Sequence, residues 1–143
     1  MDNYNLKRFL DAQDKSFDTA LTELRAGRKR SHWMWYIFPQ IQGLGPSEMS
    51  RRYAIRDLDE ARAYLADPVL SKRLIDLCNE LLKLGNLTAN QIFGYPDDMK
   101  LQSSMTLFAE ANKGDNVFLS VLKKYYGGAK DPVTLQILNE LSS

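Results

Sequence analysis

The stretch DPVLSKRLIDLCNELLKLG, residues 67–85, indicates the fold class more clearly than any other part of the sequence. Its apolar residues recur every three or four positions, so they fall on one side of a helix with 3.6 residues per turn. Asp67 is a good N-cap, Pro68 suits the first helical position, and Gly85 suits the position where a helix stops. We expect the buried face of this helix to consist of Val69, Leu70, Leu74, Leu77, Cys78, Leu81 and Leu82.

The same helical period recurs on both sides of this segment. Towards the N-terminus, apolar residues from Leu6 to Leu24 form a stripe that ends at Gly27. A shorter helix just before residue 67 has Asp57 or Asp59 as its cap. Beyond residue 85, the patterns predict a short helix over 88–93 and longer helices over 96–112, 115–128 and 131–143.

The pattern predicts an all-α fold. No segment alternates apolar and polar residues convincingly, and no alternation of strands and helices predicts a parallel sheet. We expect one domain, residues 1–143, with six or seven helices and an irregular, loop-rich segment around residues 39–50. A chain of this length can bury a sufficient core without disulfides or metals, and its 44% hydrophobic and 26% charged residues are ordinary for a globular protein.

Composition argues against several functional classes. One histidine and one cysteine cannot supply the three or four such ligands of a zinc site, and the sequence contains no complete dinucleotide or P-loop fingerprint. We therefore expect neither a metal nor another cofactor. The N-terminus has no apolar leader, and no run approaches the roughly 18 apolar residues of a membrane span. Together with the single cysteine, this predicts a cytoplasmic protein without membrane contact, and we favour a monomer.

The net charge of +1 conceals an uneven distribution of charge. Residues 25–56 hold seven arginines and lysines against one acidic residue, Glu48, so this basic zone carries +6 and the rest of the chain −5. Such a zone is expected of a face that binds anions, although arginines on the solvated rim of a core explain it equally well. If residues 50–57 are helical, Arg52 and Arg56 lie one turn apart and can act on one anion.

The segment KRSHWMWYIFPQ, residues 29–40, contains the only histidine and both tryptophans. We expect a short helix that ends before Pro39, with one tryptophan in the core and the other lining a cleft. His32 is either a general acid or base or a core residue that hydrogen-bonds the backbone, which is the commoner role for a lone histidine among aromatic residues. The loop that follows, residues 39–50, is the kind of segment that carries binding sites on a helical scaffold.

A second candidate segment is IFGYPDDMKLQSSMTLFAEA, residues 92–111. Asp97 and Asp98 are either caps at the start of a helix or a functional pair of carboxylates, and caps are the commoner case. Three polar residues follow within about one helical turn, Lys100, Ser103 and Ser104. They either line a pocket or face water.

Four stretches of the chain resemble an uncharacterised bacterial family catalogued as domain of unknown function 1810. They are RAGRKRSHWMWYIFPQ (25–40), RRYAIRDLDEARAYLADPVL (51–70), IFGYPDDMKLQSSMTLFAEA (92–111) and YYGGAKDPVTLQIL (125–138). The resemblance implies an all-helical single domain and brings no established reaction with it. Members are often labelled calpastatin, the name of long, repetitive, disordered protease inhibitors, whereas this chain is short, rich in core residues and without repeats.

These patterns lead us to expect a protein that binds an anionic, nucleotide-like small molecule between arginine and aromatic side chains. The predicted ligand-binding residues are Arg28, Arg30, Trp33, Trp35, Gln40, Arg51, Arg52, Tyr53, Arg56, Lys100, Ser103 and Ser104. A hydrolase or transferase activity on such a molecule would use His32 or Asp97 as acid or base. Two alternatives stay open: a protein-interaction module without catalysis, and binding of RNA or DNA through the basic zone, ranked third because the whole chain is nearly neutral.

Overall fold

A computed structural model describes residues 3–142 and confirms the all-α prediction, with nine helices in that range where six or seven were expected. The helices are α1 Lys7–Arg25, α2 Met34–Ile37, α3 Glu48–Arg52, α4 Leu58–Ala66, α5 Pro68–Lys83, α6 Ala89–Phe93, α7 Asp97–Ala111, α8 Val117–Tyr126 and α9 Pro132–Ser142. Within residues 3–142 no strand forms, and the only sheet-like pairing is an isolated parallel bridge between Ile41 and Ile55. None of the described helices is both long and apolar enough to cross a membrane.

Helix α7 runs through the middle of the molecule. Almost every residue from Leu101 to Ala109 is buried, because α7 packs against α4, α6, α8 and α9 on different sides. The ring of Phe108 lies between those of Tyr64 and Phe118, with centroid distances of 5.1 and 5.7 Å. A helix surrounded in this way needs apolar or small residues on all faces rather than one stripe. Its exposed first turn is therefore the part that can contribute to a surface site.

Helix α5 agrees closely with its sequence pattern. Asp67 caps it by accepting hydrogen bonds from the backbone N–H groups of Val69 and Leu70, at 2.9 and 3.0 Å. The predicted face is buried except at its edges. Val69 is exposed because it lies about 100° around the helix from Leu70, and Leu82 is half-buried. The helix ends at Lys83.

The start of α7 differs from the prediction. Neither Asp97 nor Asp98 caps it, since the N-cap residue is Pro96, which makes no side-chain capping bond. Asp97 is instead the first helical residue, and its side chain forms ion pairs. A capping residue precedes the first helical residue, has an extended backbone and accepts a hydrogen bond through its side chain. Pro96 occupies that position, but its backbone is not extended and its side chain accepts no hydrogen bond.

The connection between α3 and α4 also corrects a prediction. Helix α3 ends at Arg52, so Arg52 and Arg56 do not lie one turn apart on a common helix. The chain turns here because the guanidinium of Arg8 binds the backbone carbonyls of Arg52 and Ala54, at 2.9 and 2.8 Å, and the carboxylate of Glu60 at 2.8 Å. A guanidinium has five N–H donors in a fixed plane, so the one of Arg8 can hold this non-helical turn in place.

Candidate functional site

A groove of about 460 Å³ lies between the loop that follows α2, the first turns of α7 and the start of α9. Its size is within the range of small-ligand sites. The lining residues are Gln40, Leu44, Gly45, Pro46, Ser47, Ser50, Tyr95, Pro96, Met99, Lys100, Ser103, Asp131 and Val133. Three distant parts of the sequence therefore contribute to one concave surface.

The loop wall of the groove is held by backbone contacts. The N–H of Ile55 donates to the carbonyl of Gln40, and the N–H of Gln42 donates back to Ile55, both at 2.8 Å. Gly45 approaches Ser50 so closely that an added Cβ would lie 2.4 Å from the serine Oγ. The close approach needs glycine at this position, and it sets the shape of the wall.

One face of α7 carries a row of polar side chains, of which Lys100 and Ser103 line the floor of the groove and Asp97 lies beside it. Asp97, Lys100 and Ser103 are spaced three residues apart, so they follow one another along the helix. The Asp97 carboxylate lies between two ammonium groups, 2.8 Å from Lys29 Nζ and 3.4 Å from Lys100 Nζ. All three of these charged side chains are largely buried. Lys29 also donates to the carbonyl of Ser31 at 2.6 Å.

Each of these two lysines lies over a tryptophan. Lys29 Nζ is 5.1 Å from the ring centroid of Trp33, and Lys100 Nζ is 5.5 Å from that of Trp35. Trp33 is in the core, whereas Trp35 is half-buried and lines a smaller cavity. The sequence predicted this division between a core and a cleft tryptophan, but it did not identify Lys29 as part of the cluster.

The carboxylate of Asp131 forms the other end of the floor. Its Oδ2 accepts hydrogen bonds from Ser103 Oγ at 3.1 Å, from the Thr134 N–H at 3.0 Å and from Thr134 Oγ1 at 2.6 Å. Within residues 3–142, Oδ1 accepts no hydrogen bond. The sequence indicated Asp131 only as the start of a helix, because nothing in the local pattern shows that α9 begins beside α7.

The rim of the groove is apolar and solvent-exposed. Tyr95 is 77% exposed, Met99 54% and Val133 49%. The other large apolar side chains exposed within residues 3–142 are Val69, Ile75, Leu87 and Leu141, none of which lines the groove. Exposed apolar residues have no periodic signal, so the sequence could not identify this rim.

A second, much smaller cavity of about 20 Å³ adjoins the groove and shares Gln40, Leu44, Gly45 and Ser50 with it. It is large enough for about one water molecule. Among the predicted site residues, Trp35, Arg51 and Tyr53 line it. The guanidinium of Arg51 donates to the carbonyl of Pro46 at 2.5 Å, so this arginine also supports the loop wall.

The other predicted arginines lie outside both cavities. Arg28 and Arg30 are exposed and form a separate shallow surface with Lys29. Arg52 is exposed on α3. Arg56 lies over the ring of Tyr4, with its guanidinium carbon 5.0 Å from the centroid. The basic zone is therefore spread over several surfaces.

His32 is exposed and makes no hydrogen bond to any residue from 3 to 142. The interpretation of His32 as a core residue bonded to the backbone is therefore wrong. It lies in the bend just before α2, so its side chain does not share the buried face of that helix. Ser104, in contrast, is fully buried in α7, and its hydroxyl has no hydrogen-bond partner within the described residues.

Glu23 fixes the segment that leads into α2. Its carboxylate accepts hydrogen bonds from the N–H groups of Arg30 and Ser31, from Ser31 Oγ and from the indole of Trp33, at 2.5 to 3.0 Å. Burial raises the pKa of Glu23, but the four hydrogen bonds outweigh burial and lower the pKa from 4.5 to about 2. The segment containing Lys29 and both tryptophans is thus anchored to α1.

The described residues lack some kinds of reactive centre. No three His, Cys, Asp or Glu side chains within residues 3–142 lie together so that they could hold a metal ion. Burial raises the pKa of the Cys78 thiol, which keeps it protonated and makes it a poor nucleophile. What the groove does offer is an ammonium group, a carboxylate and an amide beside an apolar rim, which suits binding.

Comparison with known proteins gives a family but no activity. A solved structure, the conserved hypothetical protein Rv1873 from Mycobacterium tuberculosis, is 46% identical in sequence, with a TM-score of 0.93 over 95% of this chain and 97% of that one. No curated protein matches. The family model described as "Protein of unknown function (DUF1810)" matches residues 3–138. The chain therefore belongs to the DUF1810 family of proteins of unknown function.

Proposed function

We propose that this protein binds a small organic molecule with an anionic group in the groove between the loop after α2, α7 and α9. The observation that carries the proposal is the combination of an exposed apolar rim with a few convergent polar groups in a concavity of about 460 Å³. Ligand sites in proteins usually combine a mainly apolar lining with a few polar groups that fix the ligand's orientation.

The proposal assigns a different role to each part of the groove. Tyr95, Met99 and Val133 cover the apolar part of the ligand, and Lys100 binds its anionic group. The Gln40 amide supplies a donor and an acceptor on the opposite wall. Arg51 is the one arginine that borders the adjoining cavity, so the groove suits a single anionic group better than a chain of phosphates.

Catalysis stays a prediction. His32 lines neither the groove nor the smaller cavity, and both carboxylate oxygens of Asp97 contact ammonium groups, Oδ2 that of Lys29 and Oδ1 that of Lys100. Their assignment as acid or base therefore has no geometric support beyond the proximity of Asp97 to the groove. We place ligand binding first and leave turnover to be tested once a ligand is known.

A variant of Met99 tests the proposed site. Compounds that raise the melting temperature of the protein are first selected from nucleotides, aromatic carboxylates, sugar phosphates and amino acids. Met99→Ala removes apolar contact with the ligand and should weaken binding of a selected compound by about tenfold, measured by isothermal titration calorimetry.

Leu141→Ala is the matched control for Met99→Ala. Leu141 is also 54% exposed but lies outside the groove, so the two substitutions remove similar apolar area from similarly exposed positions. The control should bind the compound as the wild type does. If both variants weakened binding equally, or if neither weakened it, the assignment of the groove as the binding site would be wrong.

The exposed rim also favours a second candidate function, the docking of a segment of another protein. Large exposed apolar side chains are enriched where proteins meet. This candidate predicts that Tyr95→Ala weakens binding of a peptide partner while no small molecule stabilises the protein. Stabilisation by a small molecule that depends on Met99 would favour the first candidate.

A further inference from the structure

We propose that the ligand of the groove is a zwitterion, with an anionic group that binds Lys100 and an ammonium group that binds Asp131. The inference rests on the proposed function, because it names the chemical class of molecule that the groove takes. It is carried by the arrangement of charge along the floor, where Lys100 and Asp131 are the two charged residues, among residues 3–142, that line the groove.

The Lys100 end of the groove has an excess of positive charge. The single carboxylate of Asp97 is shared by two ammonium groups, and the one from Lys29 is closer, at 2.8 Å against 3.4 Å. One positive charge is therefore unbalanced, and Lys100 is the member of this cluster that lines the groove. An ammonium group has three donors, so Lys100 can bind a ligand anion while it keeps its contact with Asp97.

The Asp131 end has an excess of negative charge. Its three hydrogen-bond donors, one from Ser103 and two from Thr134, are all neutral groups. The neighbouring cation, Lys130, is paired with Glu110 at 2.6 Å. The three bonds hold the carboxylate through Oδ2, and its Oδ1 accepts no hydrogen bond within residues 3–142. An ammonium group of a ligand would donate to Oδ1 of Asp131 and balance the negative charge at this end of the groove.

The two ends are close enough for one small molecule. Ser103 lies one helical turn after Lys100, so the two residues are about 5 Å apart along the axis of α7. Because the Ser103 hydroxyl donates to Asp131, the positive and negative groups of the floor are held about one turn apart. The charges of Lys29, Asp97, Lys100 and Asp131 sum to zero. A zwitterion keeps the site neutral, whereas an anion without an ammonium group leaves the carboxylate of Asp131 unpaired.

A series of probes with the same apolar part tests this inference. Phenylalanine and glycylphenylalanine are zwitterions, 3-phenylpropanoate carries the anion alone, and 2-phenylethylamine carries the cation alone. By isothermal titration calorimetry, at least one zwitterion should bind about tenfold more tightly than either singly charged probe. Asp131→Asn keeps an oxygen that can cap α9, and it should remove this preference without weakening the binding of 3-phenylpropanoate.

Asp57→Asn is the matched control, because Asp57 also caps a helix but lies outside the groove. It should keep the preference for the zwitterion. If 3-phenylpropanoate binds as tightly as the zwitterions, or if none of the four probes binds, the inference is wrong. The proposed function is decided separately, by whether any compound of the wider selection binds in a manner that depends on Met99.

Discussion

The carboxylate of Glu23 shows how one side chain can order a functional segment. It accepts four hydrogen bonds, including those from the Ser31 hydroxyl and the Trp33 indole. Hydrogen bonds to a charged acceptor are stronger than neutral ones, and each donor here comes from the segment that joins α1 to α2. The position of Lys29 beside Asp97 depends on this segment, so Glu23 supports the groove without lining it.

Replacement of Glu23 by glutamine should lower the free energy of unfolding by about 1–3 kcal/mol at pH 7. The folded-state pKa of Glu23, about 2, is below its ordinary value of 4.5, so its stabilisation is complete above about pH 4.5 and is lost as the pH falls towards 2. Urea unfolding at pH 7 and pH 3 should therefore show a smaller difference between wild type and variant at pH 3. A difference that does not change with pH would contradict the charged role of Glu23.

Ser104 gives a second prediction at the scale of one residue. Its hydroxyl is fully buried and has no partner within the described residues, so folding removes it from water without compensation. Ser104→Ala should raise the free energy of unfolding by about 1 kcal/mol, and alanine also favours the helix.

Ser103→Ala is the control for that substitution in the same helix. Ser103 donates to Asp131, so its loss should give no gain in stability. Thermal unfolding of the two variants is the measurement, with an expected rise in melting temperature of about 3 °C for Ser104→Ala alone. A loss of stability in Ser104→Ala would show that its hydroxyl has a partner after all.

Helix ends are where the sequence was most informative at the scale of elements. Asp67 was predicted as a cap and accepts the expected backbone hydrogen bonds, and Asp57, one of two candidates, proved to be the cap of α4. The short helix predicted from residue 88 is capped by Thr88. Such bonds are local, so residue type and spacing are sufficient to predict them. The start of α7 was predicted to within one residue, but the role of Asp97 was not, because its carboxylate pairs with Lys29, which is remote in sequence and brought close by the fold.

Substitution of the α5 cap measures how much capping contributes to the free energy of unfolding. Asp67→Ala should lower the free energy of unfolding by about 1 kcal/mol, whereas Asp67→Asn should restore most of the loss. Asp76→Ala in the same helix removes only an exposed pair with Lys72 and should change stability by less than about 0.5 kcal/mol. Equal losses for Asp67→Ala and Asp76→Ala in urea unfolding would show that capping is not what stabilises the start of α5.

At the scale of the whole molecule, the sequence predicted the fold class but only part of the candidate site. Helical periodicity and caps are local properties, so they identified almost every helix. Lys100, Ser103 and Gln40 were named from sequence and line the groove, whereas Arg28, Arg30, Arg52 and Arg56 do not. The packing of α9 beside α7 brings Asp131 to Ser103, and no local pattern contains that information.

The most direct test of the groove as a binding site is a methyl NMR titration of protein labelled at its methionines. Of the methionines in the described part of the chain, Met99 alone lines the groove, while Met34 and Met105 are buried in the core, so the Met99 methyl resonance reports on this site. A compound that stabilises the protein should shift the Met99 resonance in a saturable manner and leave those of Met34 and Met105 nearly unchanged. Stabilisation by such compounds with an unchanged Met99 resonance would contradict the assignment of this groove as the binding site.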